Sequence, residues 1–500
     1  MSNYLQSLPS IAPEIAMTVL LCAVLVVDLL LKGRDSRKVG YLTLGGLGVV
    51  AWLLLGQWGE LGSAGAAKRV FGMIDIDRFS TFFKLFTVGS LAAVVLFVLL
   101  DRRERRHGIG EYYLLLLGAG LGIFFMVSTS NLLLLMLGLE LLSLASYSLA
   151  GFHKGDKRSA EAAMKYVVFG GLSAGVMLYG ISLLYGITGT IDLTEMASGP
   201  HSLAAQFSSG PVPVAVAIVL VLAGFAYKVS VVPFHFWTPD VYEGAPTPVT
   251  SFLAVASKAA GFAALLRFVG KLFLVDGADG AVQQYGARIG ALLAILSALT
   301  MTLGNLAALR QSSMKRMLAY SSIAHAGYVL MGMATMESSG WNAAMFYLAA
   351  YYLMNLGAFG FVLYFESVTG SDDIASLKGL GAKALWVTVP MVVFLVSLTG
   401  LPPTVGFTGK YMLFVAGVDN GLLWLSLVMA LNSVVSLFYY FRIVKALFLA
   451  EPAERSMPGQ SALAGSIFVL AVLTVLFGLY IAPLQAWCDA SVESLRLGAG

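Results

Sequence analysis

Lys258 lies within Val249-Thr250-Ser251-Phe252-Leu253-Ala254-Val255-Ala256-Ser257-Lys258-Ala259-Ala260-Gly261-Phe262, inside an apolar stretch long enough to cross a bilayer as a helix. About ten apolar residues on either side leave its stem of about 6 Å unable to carry the ammonium to either surface. Desolvation disfavours the charged form of an amine, so a lysine placed there is suited to taking up and releasing a proton. Glu140 is the acidic counterpart. It follows Asn131-Leu132-Leu133-Leu134-Leu135-Met136-Leu137-Gly138-Leu139 and precedes an apolar run to Phe152, with Ser143 and Tyr147 on its helical face. Carboxylates at that depth are rare; a structural glutamate held by a neighbouring helix is the competing reading.

Lys228 stands seventeen residues into a span beginning at Pro211. Either it snorkels to the surface, or the chain breaks at Pro233, continues inward and lets Lys228 pair with Glu140. Lys410 poses the same question behind Pro402-Pro403. His325 lies about nine residues beyond Lys315-Arg316, with Ser321 and Tyr328 on its face. A core histidine is commonly only hydrogen-bonded, yet titration near neutrality suits a shuttle between lysines. His235, at the first proline break, carries the same two readings. Lys165, close to Glu161 and a basic loop, either reaches the interface or lines an entry route.

The elements that position these groups are membrane helices. The 500 residues are 58% hydrophobic and 12% charged, with a mean hydropathy of +0.84, which excludes an ordinary soluble domain. Fourteen apolar segments are predicted, beginning near Ile11, Tyr41, Phe79, Glu111, Asn131, Ser159, Pro211, Thr247, Tyr285, Arg316, Trp341, Leu385, Leu422 and Ala462. No run reads as an alternating strand. The first segment lacks a basic start and a cleavage site, so it reads as a retained span. Cys22 and Cys488 lack the spacing of a zinc, iron–sulfur or haem site, and no metal or cofactor is expected from them. Gly118-x-Gly120-x-Gly122 follows no strand and is read as helix packing.

Loops after odd-numbered spans hold nineteen lysines and arginines, among them Lys32, Arg34, Arg102, Arg103, Arg105, Arg106, Lys154, Lys315 and Arg455, against five after even-numbered spans, Lys68, Arg69, Arg78, Lys271 and Arg288. Cytoplasmic loops retain positive charge, so both termini are predicted outside the cytoplasm. The net charge of +4 is therefore an orientation signal, and no nucleic acid is implied.

Ala162-Ala163-Met164-Lys165-Tyr166 recurs as Ala343-Ala344-Met345-Phe346-Tyr347, an offset of 181 residues, at which Thr188-Gly189 recurs as Thr369-Gly370 and Asp192 as Asp373. An offset of five spans inverts the second copy, a common transporter design with its ion site near the midplane. Val232-Pro233 to Pro239-Asp240 and Pro402-Pro403 to Gly409-Lys410 place matching breaks in the two copies. The expected fold is all-α and polytopic, with about fourteen transmembrane helices, two inverted five-helix repeats and two discontinuous helices. The expected division is residues 1–110 (helices 1–3), 111–275 (first repeat), 285–447 (second repeat) and 460–500 (helix 14).

With the glutamate in the fifth span, lysines in the seventh, eighth and twelfth, and the block from Tyr227-Lys228-Val229-Ser230-Val231-Val232-Pro233-Phe234-His235-Phe236-Trp237 to Pro246-Thr247-Pro248-Val249, the chain resembles the proton-translocating antiporter-like subunits of respiratory complex I. These are similar to large subunits of Mrp-type cation/proton antiporters. The length and Lys410 fit a shorter member of the family. The resemblance implies one proton channel, with Glu140 modulating Lys228, Lys258 as central relay, and His325 leading to Lys410. It implies that NADH, FMN, iron–sulfur clusters and quinone belong to partner subunits. The implied partners are another antiporter-like subunit, small membrane subunits and the lipid bilayer, in a bacterial inner membrane. An Mrp-type antiporter and a purely structural membrane subunit are the alternatives.

Overall fold

The computed structural model describes residues 7–31, 36–62, 67–101, 109–199, 202–274, 280–450 and 461–497. Of the orientation residues, Lys32, Arg34, Arg102, Arg103, Arg105, Arg106 and Arg455 lie outside them. The helices are α1 (Ala12–Leu31), α2 (Ser36–Glu60), α3 (Arg78–Leu100), α4 (Ile109–Val127), α5 (Leu132–Ala150), α6 (Lys157–Thr188), α7 (Pro211–Lys228) and α8 (Trp237–Gly244). They continue with α9 (Thr247–Phe273), α10 (Gly280–Ala308), α11 (Met314–Ala334), α12 (Ser338–Thr369), α13 (Leu385–Thr399), α14 (Val405–Asp419), α15 (Leu423–Phe448), α16 (Ser461–Leu479) and α17 (Ala482–Leu497). Every predicted span coincides with one of these helices or with a broken pair. Twelve are long and apolar enough to cross a bilayer.

Helices α9 and α12 are closely enclosed by protein: all of the most apolar window of α9 is buried, and 94% of that of α12, against 22% for α16 at the edge, and α11 is buried along almost its whole length. A lysine on α9 is thus shielded from lipid by other helices, which is where an ionisable group survives in a membrane.

The repeat is visible in the backbone. Helices α6 and α12 are each 32 residues long and end on left-handed glycines, Gly189 (φ 74°) and Gly370 (φ 72°). Asp192 and Asp373 then cap the next turns and bridge back to Asn131 and Ser313, the residues that precede α5 and α11. Close packing repeats as well. A Cβ on Gly122 of α4 would lie 2.6 Å from the Leu142 nitrogen of α5, and one on Gly304 of α10 would lie 2.6 Å from the Ala324 nitrogen of α11. Gly122 therefore serves helix contact.

Both expected breaks are present. The chain leaves α7 at Lys228 and re-enters a helix at Trp237; it leaves α13 at Thr399 and re-enters at Val405, with cis Val232-Pro233 in one break and cis Pro402-Pro403 in the other.

The expectation that no strand occurs is corrected. Lys68–Val70 (β1) and Ile74–Ile76 (β2) pair antiparallel. Three residues are too few to display a period of two, and β1 opens with two charged residues, so no hydrophobic signal marks it. The turn uses Phe71 and Gly72 at φ 55° and 68°. Helix α17 is a further element beyond the expected spans, and α3 packs on it.

Candidate functional site

In the first repeat, Lys228 closes the last turn of α7 and is buried. Its Nζ donates to Ser143 Oγ of α5 at 3.1 Å. Glu140, one helical turn before Ser143, has Oε1 buried with no hydrogen-bond partner. The snorkelling reading of Lys228 does not hold, because the break at Pro233 keeps the end of α7 inside the protein. Lys228 also reaches towards α9: a Cβ on Gly261, one turn past Lys258, would stand 3.3 Å from Lys228 Cγ.

Lys258 directly follows a π-helical turn, Leu253–Ser257. Such a turn shifts the register of the side chains after it and is frequent at functional sites. Lys258 Nζ donates to Ser322 Oγ of α11 at 2.5 Å and lies 5.7 Å from the centre of the Tyr242 ring. Lys258, Ser322, His325 and Tyr351 share the lining of a small cavity of about 10 Å³, close to the space one water occupies.

His325 is held between two phenols, with Nδ1 2.6 Å from Tyr347 OH and Nε2 3.1 Å from Tyr440 OH. Tyr440 in turn bonds Ser321. The Tyr328 ring stands edge-on to His325 at 5.3 Å, and the Lys410 ammonium lies 4.6 Å from the centre of the same ring. Lys410 Nζ donates to Leu398 O at 3.0 Å, Thr399 O at 2.9 Å and Ser433 Oγ at 3.1 Å. The first two are terminal carbonyls of α13 left unpaired by the break, where the helix dipole favours a cation. Gly400 is needed there: a Cβ on it would meet Lys410 Cδ at 2.7 Å, and its φ of 90° is disfavoured for other residues.

The structure thus gathers these groups in two sets, Lys228 with Ser143 one turn from Glu140, and Lys258, His325 and Lys410 around Ser322, the small cavity and the Tyr328 ring. The other two candidates belong to neither set. His235 is in the first break, buried, with Nδ1 unpartnered. Lys165 is partly exposed, bonding Asp240 Oδ2 at 2.6 Å and Glu161 Oε1 at 2.7 Å, while Arg316 bonds Asp240 and Glu243. This ionic cluster adjoins a cavity of about 620 Å³ lined in part by Asp101, Asp156, Glu243, Lys315, Glu366 and Asp372.

Two buried ion pairs were not expected from the sequence. Glu14 of α1 meets Lys84 of α3 at 2.5 Å with both side chains enclosed; a carboxylate in the first turn and a lysine soon after Arg78 both look able to reach the surface. Asp77, which caps α3, receives two bonds from Arg267 of α9 at 2.8 and 3.0 Å. Burial alone would raise the Asp77 carboxyl, but the guanidinium and the Ser80 amide hold it below its ordinary value. Among the described residues no cluster of three or more His, Cys, Asp or Glu is placed to hold a metal ion.

Residues 129–436 match the family described as NADH:quinone oxidoreductase/Mrp antiporter, TM. NADH-quinone oxidoreductase subunit N 2 of Sorangium cellulosum (strain So ce56) is 43% identical, over 98% of this chain and 98% of its own. A chain of the respiratory complex I from Thermus thermophilus with bound Aureothin is 34% identical with a TM-score of 0.78, over 95% of this chain and 98% of that one. A chain of the Mrp complex from Dietzia sp. DQ12-45-1b superposes with a TM-score of 0.85 over 99% of this chain and 100% of that one, at 20% identity, a likeness of fold alone.

Proposed function

Because the chain belongs to the NADH:quinone oxidoreductase/Mrp antiporter membrane family, we propose that it is the proton-translocating membrane subunit of an NADH-quinone oxidoreductase and carries one proton channel. The observation that supports this most is the set of buried charges inside the helices: Lys228 bonds Ser143 one turn from Glu140, Lys258 bonds Ser322 and shares a cavity with His325, and the Tyr328 ring lies between His325 and Lys410. A carboxylate within about 4–6 Å of an ammonium holds its proton, and withdrawing that carboxylate lets the proton go. Glu140 would act on Lys228 in this way. Lys258 would pass the proton through Ser322 to His325, whose two ring nitrogens face separate phenols, and Lys410 would receive it for the outer side. His235 and Lys165 would flank this path, Lys165 near the cytoplasmic mouth beside the acidic cavity.

The electron carriers, NADH, FMN, iron–sulfur clusters and quinone, would reside in partner subunits. Those partners would be another antiporter-like subunit and the small membrane subunits. The excess of lysine and arginine in alternate loops supports a bacterial inner-membrane location with both termini outside the cytoplasm. Residues 111–275 and 285–447 would be the two inverted halves of the channel.

The test is NADH-driven proton pumping and quinone reduction in membranes carrying Lys258→Ala, with assembly checked on native gels. Loss of both activities in the assembled complex is the expected result. Normal pumping would leave a structural subunit in place of a channel.

A further inference from the structure

Outside both repeats, α3 carries a buried polar stripe. Thr81, Lys84, Thr87 and Ser90 recur every third residue, and all four are fully enclosed. Three-residue spacing keeps neighbours on adjoining parts of one helix face. The hydroxyls of Thr81, Thr87 and Ser90 donate to carbonyls of their own helix, Asp77 O, Phe83 O and Phe86 O, so their lone pairs remain to accept a hydrogen bond.

The stripe has two ends. At the outer one, Thr81 Oγ1 lies 3.4 Å from Gln57 Oε1, and Gln57 lines a cavity of about 310 Å³ together with Ser10, Glu60 and Lys68. At the inner one, the residue before Ser90 meets Tyr352 of α12, whose hydroxyl lies 2.6 Å from where a Cβ on Gly89 would sit. The residue before Tyr352, Tyr351, accepts from Asn355 at 2.8 Å and lines the cavity shared by Lys258 and His325. Helix α3 also packs directly on the π turn that precedes Lys258.

Between the ends sits the Glu14–Lys84 pair, 2.5 Å apart. Glu14 uses one oxygen for Lys84; its Oε2 is buried and has no hydrogen-bond partner. A carboxylate oxygen buried in this way is costly for a pair that serves only to hold two helices together. It is an open acceptor for a proton arriving along the stripe.

We propose that Glu14 and Lys84 form a second protonatable site, on a branch of the channel that runs along α3 between the Lys258 cavity and the outer face. The proposal rests on the proton-translocating reading above. A proton passing from the Lys258 cavity is carried by the Tyr351 and Tyr352 region to Ser90 and Thr87. It is taken up by Glu14, the paired Lys84 ammonium gives its own proton on through Thr81 and Gln57, and the neutral Glu14 acid then returns its proton to the Lys84 amine. No bond other than O–H or N–H forms or breaks, and no co-reactant is needed.

The experiment measures protons moved per NADH oxidised in membranes carrying the whole complex. It uses the double variant Glu14→Gln/Lys84→Met, Lys84→Arg, and the milder Ser90→Ala, with Lys258→Ala as control. Neutralising both partners removes the penalty of a lone buried charge, so the double variant is expected to assemble. Arginine keeps the ion pair but does not give up its proton in proteins. A branch therefore predicts a lowered proton-to-NADH ratio in the assembled double variant, in Lys84→Arg and in Ser90→Ala. A structural pair predicts the wild-type ratio in every variant that assembles. The wild-type ratio in Ser90→Ala, or in either charge variant once assembled, overturns the branch. Full pumping by Lys258→Ala instead overturns the channel reading on which the branch depends.

Discussion

The two halves share a scaffold but satisfy their buried cations differently. In the first, Lys228 faces the helix turn that carries Glu140, and Arg267, near the end of α9, is clamped by Asp77. In the second, Ser322 occupies in α11 the position that Glu140 occupies in α5, counted from the first residue of each helix. Lys410 is held by the carbonyls of Leu398 and Thr399. Arg442, as far from the end of α15 as Arg267 is from the end of α9, bonds the carbonyls of Leu309 and Gln311. Near Lys228 and Arg267 the first half thus sets a carboxylate, whose charge can change, while at Lys410 and Arg442 the second uses backbone carbonyls, whose dipoles are fixed by geometry; Lys258 is bonded by the Ser322 hydroxyl, and Lys315 lies 3.9 Å from Glu366. The difference argues that switching belongs to the first half and steady conduction to the second.

Glu140→Gln tests this most severely. If switching resides there, NADH-driven pumping in the assembled complex is expected to fall about tenfold, equivalent to about 1.4 kcal/mol on the barrier; unchanged pumping would break the comparison. Ser322→Glu gives the second half the partner it lacks. A carboxylate beside Lys258 favours the charged ammonium, so turnover is expected to fall about threefold, a loss of about 0.7 kcal/mol, with assembly retained. A faster enzyme would contradict the assignment of conduction to fixed dipoles.

Asp77→Asn leaves Arg267 buried without its main partner and is expected to destabilise by about 3 kcal/mol, read as a lower Tm in detergent. The pH dependence has a definite sign. The folded Asp77 carboxyl is held below its ordinary value of 3.8, so its contribution is complete above that pH and is lost as pH falls through the folded value. The Asn variant should lack that acid-sensitive component. Arg442→Met removes bonds to carbonyls only, so a smaller loss of about 1 kcal/mol is expected, with the acid-sensitive component intact.

Long apolar runs have one meaning in a membrane protein, so the spans were legible, and the 181-residue offset marked both ends of α6 and α12. The buried lysines Lys228, Lys258 and Lys410 were legible because charges stand out against such runs. Their connections were not. Tyr347 lies on the next helix and Tyr440 on one far along the chain from His325, and nothing in Leu253–Ser257 announces a π turn. Glu14 and Lys84 were passed over because each stands close enough to a helix end to look solvated. Their burial depends on α2 and α4, which pack against α1 and α3.

The glycine crossings of α4 with α5 and α10 with α11 bring main chain against main chain. Helix pairs in such contact have no slack for sliding, and their amides have little chance to open to solvent. Turnover must then be accommodated in the two proline breaks, with the four crossing helices standing still. Hydrogen–deuterium exchange during NADH oxidation should accelerate around Val229–Phe236 and Gly400–Thr404 while the Gly122 and Gly304 crossings stay protected, so that the moving parts of the subunit amount to two short loops set in an immobile frame.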